Sequence, residues 1–544
     1  MPERAVTSRD RRHSFGGVPG KQFVIVASVP EHRGLTRRAF IARAAALAVA
    51  SQLPACARAQ VKFDKYPFTL GVASGDPLPD GVVLWTRLAP DPLHGGGMSA
   101  APVDVAWEVA RDEAMKDVAR SGVTTASPDL AHSVHVEVSG LEADRPYWYR
   151  FRAGDAESPT GRTHTSPPAG SPAQRIRFAF ASCQNYTQGY YTAHANLARE
   201  DLDAVVFLGD YIYEGTPRGI LVRDYAKSGW SFTLADYRDR YAQYKSDRDL
   251  QTAHAAFPWI MTWDDHEVEN NYAGGIEKDD QHKAALLERA AAYQAYYEHQ
   301  PLRGPRPQGP DLRLYRSISY GDLVTFFVLD TRQYRSPEVS LCREEEETPS
   351  GYCPASLDPK RTMLGPQQRE WLLGELGGSR AQWNVVAQSV RFAQQDSNPD
   401  AARHTFDGVD NWMGYVADRQ AIVDQLAKTK NPVVISGDSH VNFVYDLRHD
   451  FADPRSPVVG AELLGTSISS EGDASPASTQ FDPSTKNPQL RFFDNHRGYV
   501  RCSIERSRLT ADFRAVSTVR QPTASVSTIA SFAIDDGRPG AHRI

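Results

Sequence analysis

The segment Ala204-Val-Val-Phe-Leu-Gly-Asp-Tyr-Ile-Tyr213 joins an unbroken apolar run to a polar end. An apolar run without alternation is typical of a strand that is buried on both faces of a parallel sheet. Gly209 ends the run, and Asp210 follows it directly. The segment therefore predicts a central strand that presents Asp210 at its carboxyl end.

The same pattern recurs along the chain, in continuous apolar runs that each end on polar residues. The further runs are Ile176–Ala181, Pro258–Trp263, Val324–Leu329, Val385–Ala387 and Val433–Ile435. Helical periodicity lies between several of them, at Lys283–His299, Gln367–Leu376 and Asp418–Ala427. Strands alternating with helices predict an α/β domain, and such domains bind ligands outside the carboxyl ends of their strands.

Three segments at or after these strand ends carry residue types that commonly bind metal ions. They are Gly209-Asp210-x-x-Tyr213, Asp264-Asp265-His266-Glu267-x-Glu269-Asn270-Asn271 and Ser436-Gly437-Asp438-Ser439-His440. Consecutive carboxylates repel one another unless a cation or buried donors compensate. Carboxylate and imidazole together can serve two unlike metal ions.

Each motif also has a purely structural interpretation. Asp210 could cap a helix while Tyr213 packs, and the acidic run could be a solvated helix start. The apolar strand before the acidic run, with Trp259 and Trp263, favours a buried metal site instead.

The length of 544 residues favours two domains. Residues 64–168 contain short apolar stretches between Gly, Pro and Asp turns, which predicts an all-β domain. Within it, Leu141 and Tyr147-Trp148-Tyr149 resemble the tyrosine-bearing strand of immunoglobulin-like sandwiches. Ser166–Pro172 is interpreted as a linker, and 174–537 as the catalytic domain.

The composition excludes some classes of function. The net charge of −6 provides no basic stripe for nucleic acid. A structural role in a cell wall would require repeats or low-complexity tracts, and the sequence shows neither. A secreted binding protein is the remaining alternative to an enzyme, and it predicts that Asp210 is dispensable.

Residues 1–59 are interpreted as a twin-arginine export signal. Arg37 and Arg38 precede the Ala-rich apolar run Ala42–Leu53, and cleavage is expected after Ala57 or Ala59. The run is shorter than the ~20 residues that span a bilayer, so no permanent membrane span is expected. Export to the periplasm or the extracellular space is predicted, with lipidation at Cys56 as an alternative because Leu53-Pro54-Ala55-Cys56 resembles a lipoprotein box.

The other cysteines have different expected roles. Cys342 and Cys353 are expected to form a disulfide after export. Cys502 lies in a predicted strand, where a buried inert thiol is the default. Cys183 stands at a strand end between Ser182 and Gln184, which favours metal ligation over a buried strand thiol.

In this order, the motifs resemble those of the PhoD-like alkaline phosphatase family (alkaline phosphatase D) of the calcineurin-like metallophosphoesterase superfamily. The resemblance extends over residues 64–537. Its matching segments are Phe68–Pro77, Ala181–Cys183, Gly209–Tyr213, Trp263–Glu267, Leu329–Arg332, Leu364–Trp371 and Ser436–His440.

The resemblance implies a four-layer α/β/β/α catalytic domain behind an immunoglobulin- or fibronectin-III-like β-sandwich. It also implies a centre of Fe³⁺ and Ca²⁺. By position, the implied iron ligands are Cys183, Tyr213 and His440, with Asp210 bridging both ions and Asp438, Asp265 and Asn271 on the calcium side.

The same comparison of motifs suggests residues for the reaction. His266 is expected to protonate the leaving group, Arg332 to clamp phosphate, and Asn185 to contact phosphate as well. The expected activity is hydrolysis of phosphate esters by a metal-activated water. Phosphodiesterase or phospholipase D-type activity at the same centre is the alternative, and a monomer is expected.

Overall fold

The computed structural model describes residues 62–216, 218–227, 229–274, 279–337, 351–398, 400, 403–406, 410–474 and 486–544, with backbone alone for 279–286. The predicted export signal 1–59, the candidate lipidation site Cys56 and the predicted disulfide partner Cys342 lie outside these residues. Cys353 is disulfide-bonded.

Strands dominate the described residues, and we number them β1 to β22 in chain order. Their bounds are Val72–Leu78, Gly81–Arg87, Val103–Ala110, Val118–Ala126, Ser133–Val138, Pro146–Ala153, Ala156–Glu157, Gly161–His164, Arg175–Ala181, Ala204–Leu208, Pro258–Thr262, Arg316–Tyr320, Val324–Val328, Trp383–Ala387, Pro432–Ser436, Asn442–Arg448, Val458–Leu464, Leu490–Asp494, Gly498–Glu505, Arg508–Val516, Val526–Asp535 and Arg538–Arg543. The helices, α1 to α6, are Thr192–Leu197, Leu234–Lys245, Arg248–Ala256, Asp279–His299, Gly365–Gly378 and Val416–Leu426. Within the described part of the chain, no helix has both the length and the apolar character that a bilayer crossing requires.

The strands form three sheets. The first has ten strands in the order β22-β21-β20-β19-β9-β10-β11-β1-β2-β5, and the second has seven in the order β12-β13-β14-β15-β17-β16-β18. The third has the order β4-β3-β6-β7, with β8 paired to β6. The middle strands of the first two sheets are parallel, as the unbroken apolar runs predicted.

The first two sheets pack face to face, and helices cover their outer faces. Phe178 of β9 meets Phe326 of β13 edge to face in the core between the sheets, with ring centroids 5.0 Å apart. On the outer face of the first sheet, Trp263 stacks on Tyr293 of α4. Helices α5 and α6 cover the second sheet through residues such as Leu372 and Ile422. The predicted four-layer α/β/β/α arrangement is confirmed.

The N-terminal β-region packs the third sheet against β1, β2 and β5. The Tyr147 hydroxyl accepts a hydrogen bond of 2.8 Å from the backbone N–H of Glu142, which is the bond expected of the tyrosine-bearing strand. Strand β1 also pairs with β11 in parallel, with Ser74 opposite Pro258. The N-terminal strands β1, β2 and β5 therefore continue the first sheet, a pairing that the linker pattern did not indicate.

Candidate metal centre

The candidate ligands lie where parallel strands end at one edge of the two packed sheets. Strand β9 leads to Cys183, β10 to Asp210, β11 to Asp265 and His266, and β15 to Asp438 and His440. Because parallel strands in register end at the same edge, residues far apart in the chain meet there.

The backbone at these positions is unusual. Cys183, Asp210, Asp438 and His440 have φ of 60°, 56°, 63° and 55°, in the left-handed region that non-glycine residues rarely adopt. Each such residue costs about 1–2 kcal/mol relative to an ordinary conformation. Conformations of this kind persist where packing over-determines them, and they cluster at functional sites.

Gly209 makes the approach of two strand ends possible. Its φ is 99°, and a Cβ at this position would lie 2.4 Å from the backbone nitrogen of Asp264. No side chain fits into that space, so the glycine sets the distance between the β10 and β11 loops.

We expect Gly209→Ala to lower the thermal midpoint far more than Gly304→Ala. Gly304 has a nearly equal φ of 101°, yet a Cβ there would meet nothing within 4 Å. The control carries only the backbone penalty of about 1–2 kcal/mol, whereas Gly209→Ala adds an overlap that costs about 1–3 kcal/mol more. Equal shifts in thermal unfolding of the two variants would contradict this account.

The side chains form two groups that share one carboxylate. Ligand atoms of Cys183, Asp210 and His440 lie within 4.8 Å of one another, and so do those of Asp210, Asp265 and His266. Tyr213 belongs to the first group, because its hydroxyl donates to Asp210 Oδ2 at 2.9 Å and lies 3.2 Å from His440 Nε2. The first group offers sulfur, phenol and imidazole donors, and the second is rich in oxygen.

Without a cation, this arrangement is electrostatically unfavourable. Burial raises the pKa of the Cys183 thiol and of the Asp210 carboxyl well above their usual values, and nearby carboxylates add to both shifts. Burial and the charge of Asp210 likewise raise the pKa of Tyr213. A bound metal ion inverts this effect because its charge favours the ionised ligands. The donor set therefore fits a cation.

A buried arginine organises the neighbouring carboxylates. Arg332 is fully buried, and its Nη2 donates to Asp264 Oδ2 at 2.9 Å while its Nη1 donates to Asp410 Oδ1 at 2.7 Å. Its Nη2 also lies 3.8 Å from Asp265 and 4.0 Å from Asp438. Burial opposes ionisation of Asp265, but Arg332 and His266 together lower its pKa below the usual range. The Arg332 guanidinium is thus paired with carboxylates, and the phosphate-clamp role expected of it stays a prediction.

His266 is held by a glutamate that the sequence did not single out. Its Nδ1 lies 2.7 Å from Oε2 of the buried Glu214, whose Oε1 accepts from the backbone N–H of Asn270 at 3.1 Å. Partial burial opposes protonation of His266, but the carboxylates of Asp265 and Asp210 raise its pKa well above the ordinary value. His266 also lines the cavity that Tyr213 and His440 border.

A second buried glutamate ties the loops after β10 and β11 together. Glu267 accepts backbone N–H groups from Asp210, Tyr211 and Asp264 at 3.2, 2.6 and 2.9 Å. Burial raises its pKa to about 7, although these three bonds oppose the shift. The acidic run therefore contains both candidate ligands and a structural carboxylate.

The remaining candidates lie around one open cavity of about 490 Å³. Asn185, Tyr213, His266 and His440 line it, together with Arg218. The side-chain oxygen of Asn185 accepts from the Thr187 backbone N–H at 3.1 Å. Asn271 lies beside the acidic loop, where its backbone N–H donates to Asp265 Oδ2 at 2.7 Å and its φ is 59°.

Sequence reasoning missed several residues of this site, namely Glu214, Arg218, Trp230 and Asp410. Glu214 directly follows Tyr213, so its position next to a recognised motif was an available signal. Arg218 and Trp230 lie in a segment without regular structure, where no periodicity marks which side chains face a cavity. In the described ranges, no carboxylate forms an ion pair with Arg218.

The protein has four packed layers, and oxygen, sulfur and imidazole donors gather at the ends of its strands. This combination is the one expected of a metal-dependent phosphoesterase. The PhoD-like phosphatase family matches residues 178–513, and the PhoD-like phosphatase N-terminal domain matches residues 55–167. The chain belongs to the PhoD-like phosphatase family.

Two relatives illustrate this membership. Alkaline phosphatase D of Bacillus subtilis (strain 168) is 48% identical over 493 residues, which cover 89% of this chain and 83% of the relative. A solved structure described as "Structure of PhoD" superposes with a TM-score of 0.83 at 46% identity, over 89% of this chain and 93% of the other. The chain is thus a metal-dependent phosphatase, which places it among the phosphoric ester hydrolases.

Proposed function

We propose that this chain is an exported alkaline phosphatase that hydrolyses phosphate esters at a centre of Fe³⁺ and Ca²⁺. The observation that carries the proposal is the pair of ligand groups sharing Asp210, one with sulfur and phenol donors and one rich in oxygen.

The proposed ligands of each ion follow from donor chemistry. Cys183, Tyr213 and His440 would hold iron, since a thiolate and a phenolate stabilise the ferric state. Asp438, Asp265 and Asn271 would hold calcium, which takes oxygen ligands. Asp210 would bridge the two ions because its carboxylate lies in both groups.

When bound, the two cations would lower the pKa of a water and neutralise charge on the phosphate oxygens. His266 would donate a proton to the departing alcohol, and Glu214 would hold the imidazole in position through Nδ1. Asn185 and Arg218 are the proposed substrate contacts, since both line the cavity. Arg332 would position Asp264 and Asp410, and its expected role as a phosphate clamp stays a prediction.

The location and organisation of the chain are part of the proposal. Arg37 and Arg38 would direct it to the twin-arginine machinery, which exports folded proteins and so permits metal loading before export. We propose a monomer with a β-sandwich over 64–168 and a catalytic domain over 174–537, in the periplasm or outside the cell. Lipidation at Cys56 is the alternative form.

We expect Cys183→Ser to lose iron and to keep most of its calcium. Loss of the thiolate removes a ligand from the iron side alone, so the visible absorption from ligand-to-iron charge transfer should change and activity should fall. Iron and calcium are measured separately on the purified protein. Cys502→Ser is the matched control, since Cys502 is the other buried free cysteine of the described residues and lies on β19. Unchanged iron in Cys183→Ser, or no iron in the wild type, would contradict the assignment.

Hydrolysis of phosphodiesters is a second candidate activity at the same centre. The cavity of about 490 Å³ is lined by Glu269 and Trp230 as well as by His266, and we propose that this volume would admit a second ester group. Turnover of mono- and diesters above pH 8 distinguishes the two, because an enzyme restricted to monoesters leaves diesters intact.

A further inference from the structure

Trp230 is a large, partly exposed apolar side chain on the wall of the catalytic cavity. It is 38% exposed, whereas the aromatic residues Tyr213 and Tyr225 on the same wall are 9% and 8% exposed. The proposed reaction gives this indole no role. A tryptophan side chain is usually highly buried, so its exposure at this position calls for an explanation.

The segment around Trp230 is fixed by several contacts. Arg240 Nη2 donates to the carbonyl of Gly229 at 2.7 Å, and Arg240 Nη1 donates to the carbonyl of Gly215 at 3.1 Å. Thr233 then caps helix α2 through a reciprocal pair of bonds with Asp236. The backbone on both sides of Trp230 is therefore anchored.

Trp230 lines the same cavity as His266, and the two are connected through Glu214. The backbone N–H of Ser231 donates to the carbonyl of Glu214 at 3.0 Å, and the side chain of Glu214 holds His266. The indole also packs over Gly215, where an added Cβ would lie 3.4 Å from its ring. One residue thus links the tryptophan segment to the proposed proton donor.

We propose that Trp230 is a specificity-determining residue that stacks on the leaving group, so that the enzyme favours esters of alcohols carrying a flat aromatic ring. This inference rests on the proposed role of His266, which would put the departing alcohol in the cavity that His266 and Trp230 both line. An aromatic ring in offset or edge contact with the indole is stabilised beyond the burial of its area. The neighbouring Phe232 ring stacks on the indole, with centroids 6.1 Å apart, but it is not among the described residues that line the cavity.

The test compares benzyl phosphate with ethyl phosphate, whose leaving alcohols have similar basicity. We expect Trp230→Ala to lower kcat/KM for benzyl phosphate about fivefold to tenfold. The value for ethyl phosphate should stay close to wild type. Trp230→Phe should restore most of the benzyl value, because it keeps a flat ring. Phe232→Ala is the neighbouring control, since that side chain is exposed and is not among the described residues that line the cavity.

The outcomes separate this inference from the function on which it rests. Equal losses on both esters in Trp230→Ala would overturn it, because a structural role does not distinguish leaving groups. An effect of Phe232→Ala as large as that of Trp230→Ala would overturn it as well. A wild-type enzyme that hydrolyses neither ester would overturn the proposed phosphatase reaction itself.

Discussion

Replacing Asp210 by Asn should lower kcat for phosphate esters by about 10³-fold or more. Asp210 is the side chain common to both ligand groups, and its carboxylate accepts a hydrogen bond from the Tyr213 hydroxyl. Asparagine has nearly the same shape but no charge, so the change weakens the binding of both cations with little effect on packing. Turnover and the contents of iron and calcium should therefore fall together.

Asp418→Asn is the control for Asp210→Asn. Asp418 is also a fully buried carboxylate, but it serves the packing of α6 through Thr362 and Arg369. Its loss should reduce stability and leave the metal content and the kcat of the folded fraction near wild type. An Asp210→Asn enzyme with normal kcat and both metals would contradict the assignment of the centre to the two groups that share Asp210.

Replacing His266 by Gln should lower kcat for alkyl phosphates by about 10²–10⁴-fold, the usual contribution of a general acid. The same variant should lose far less on 4-nitrophenyl phosphate, because nitrophenolate departs without protonation. The prediction depends on the imidazole that Glu214 holds at 2.7 Å. The measurement is kcat on both substrates across the alkaline range.

The chain provides a matched control for His266→Gln. His404 forms an imidazole–carboxylate pair with Asp396 at the same distance of 2.7 Å. His404 is not among the described residues that line the cavity. His404→Gln should leave both rates near wild type. Equal losses on the two substrates in His266→Gln would show that His266 positions ligands and does not protonate the leaving group.

Much of the fold was predictable because the pattern of apolar residues within a short segment indicates whether that segment is buried. A strand buried on both faces must be apolar at every position, so runs such as Ala204–Leu208 and Val433–Ile435 mark central strands without further information. The pairing of β1 with β11 was not predictable, since only two residues of each strand pair and a turn-rich linker follows the region. Strand order depends on contacts between distant segments, and the sequence of one strand does not indicate which strand it pairs with.

The candidate ligands were predictable as residue types, but the carboxylate partners of Arg332 were not. Its position after the strand run Val324–Leu329 matches that of a residue facing a ligand. The structure instead directs its guanidinium to Asp264 and Asp410, and Asp410 lies far along the chain in a segment without a motif. The partner of a buried charge is set by tertiary packing, and neither spacing nor composition reveals it.

The sequence by itself determined which strands are buried and which donor atoms follow them, because burial and donor chemistry are properties of single residues and their near neighbours. Only the tertiary structure decided that Tyr213 and His440, 227 positions apart, lie 3.2 Å from each other. It also decided that Trp230 shares a cavity with His266. Those distances follow from strand order and from left-handed backbone turns at the strand ends, which many interactions across the whole domain hold in place.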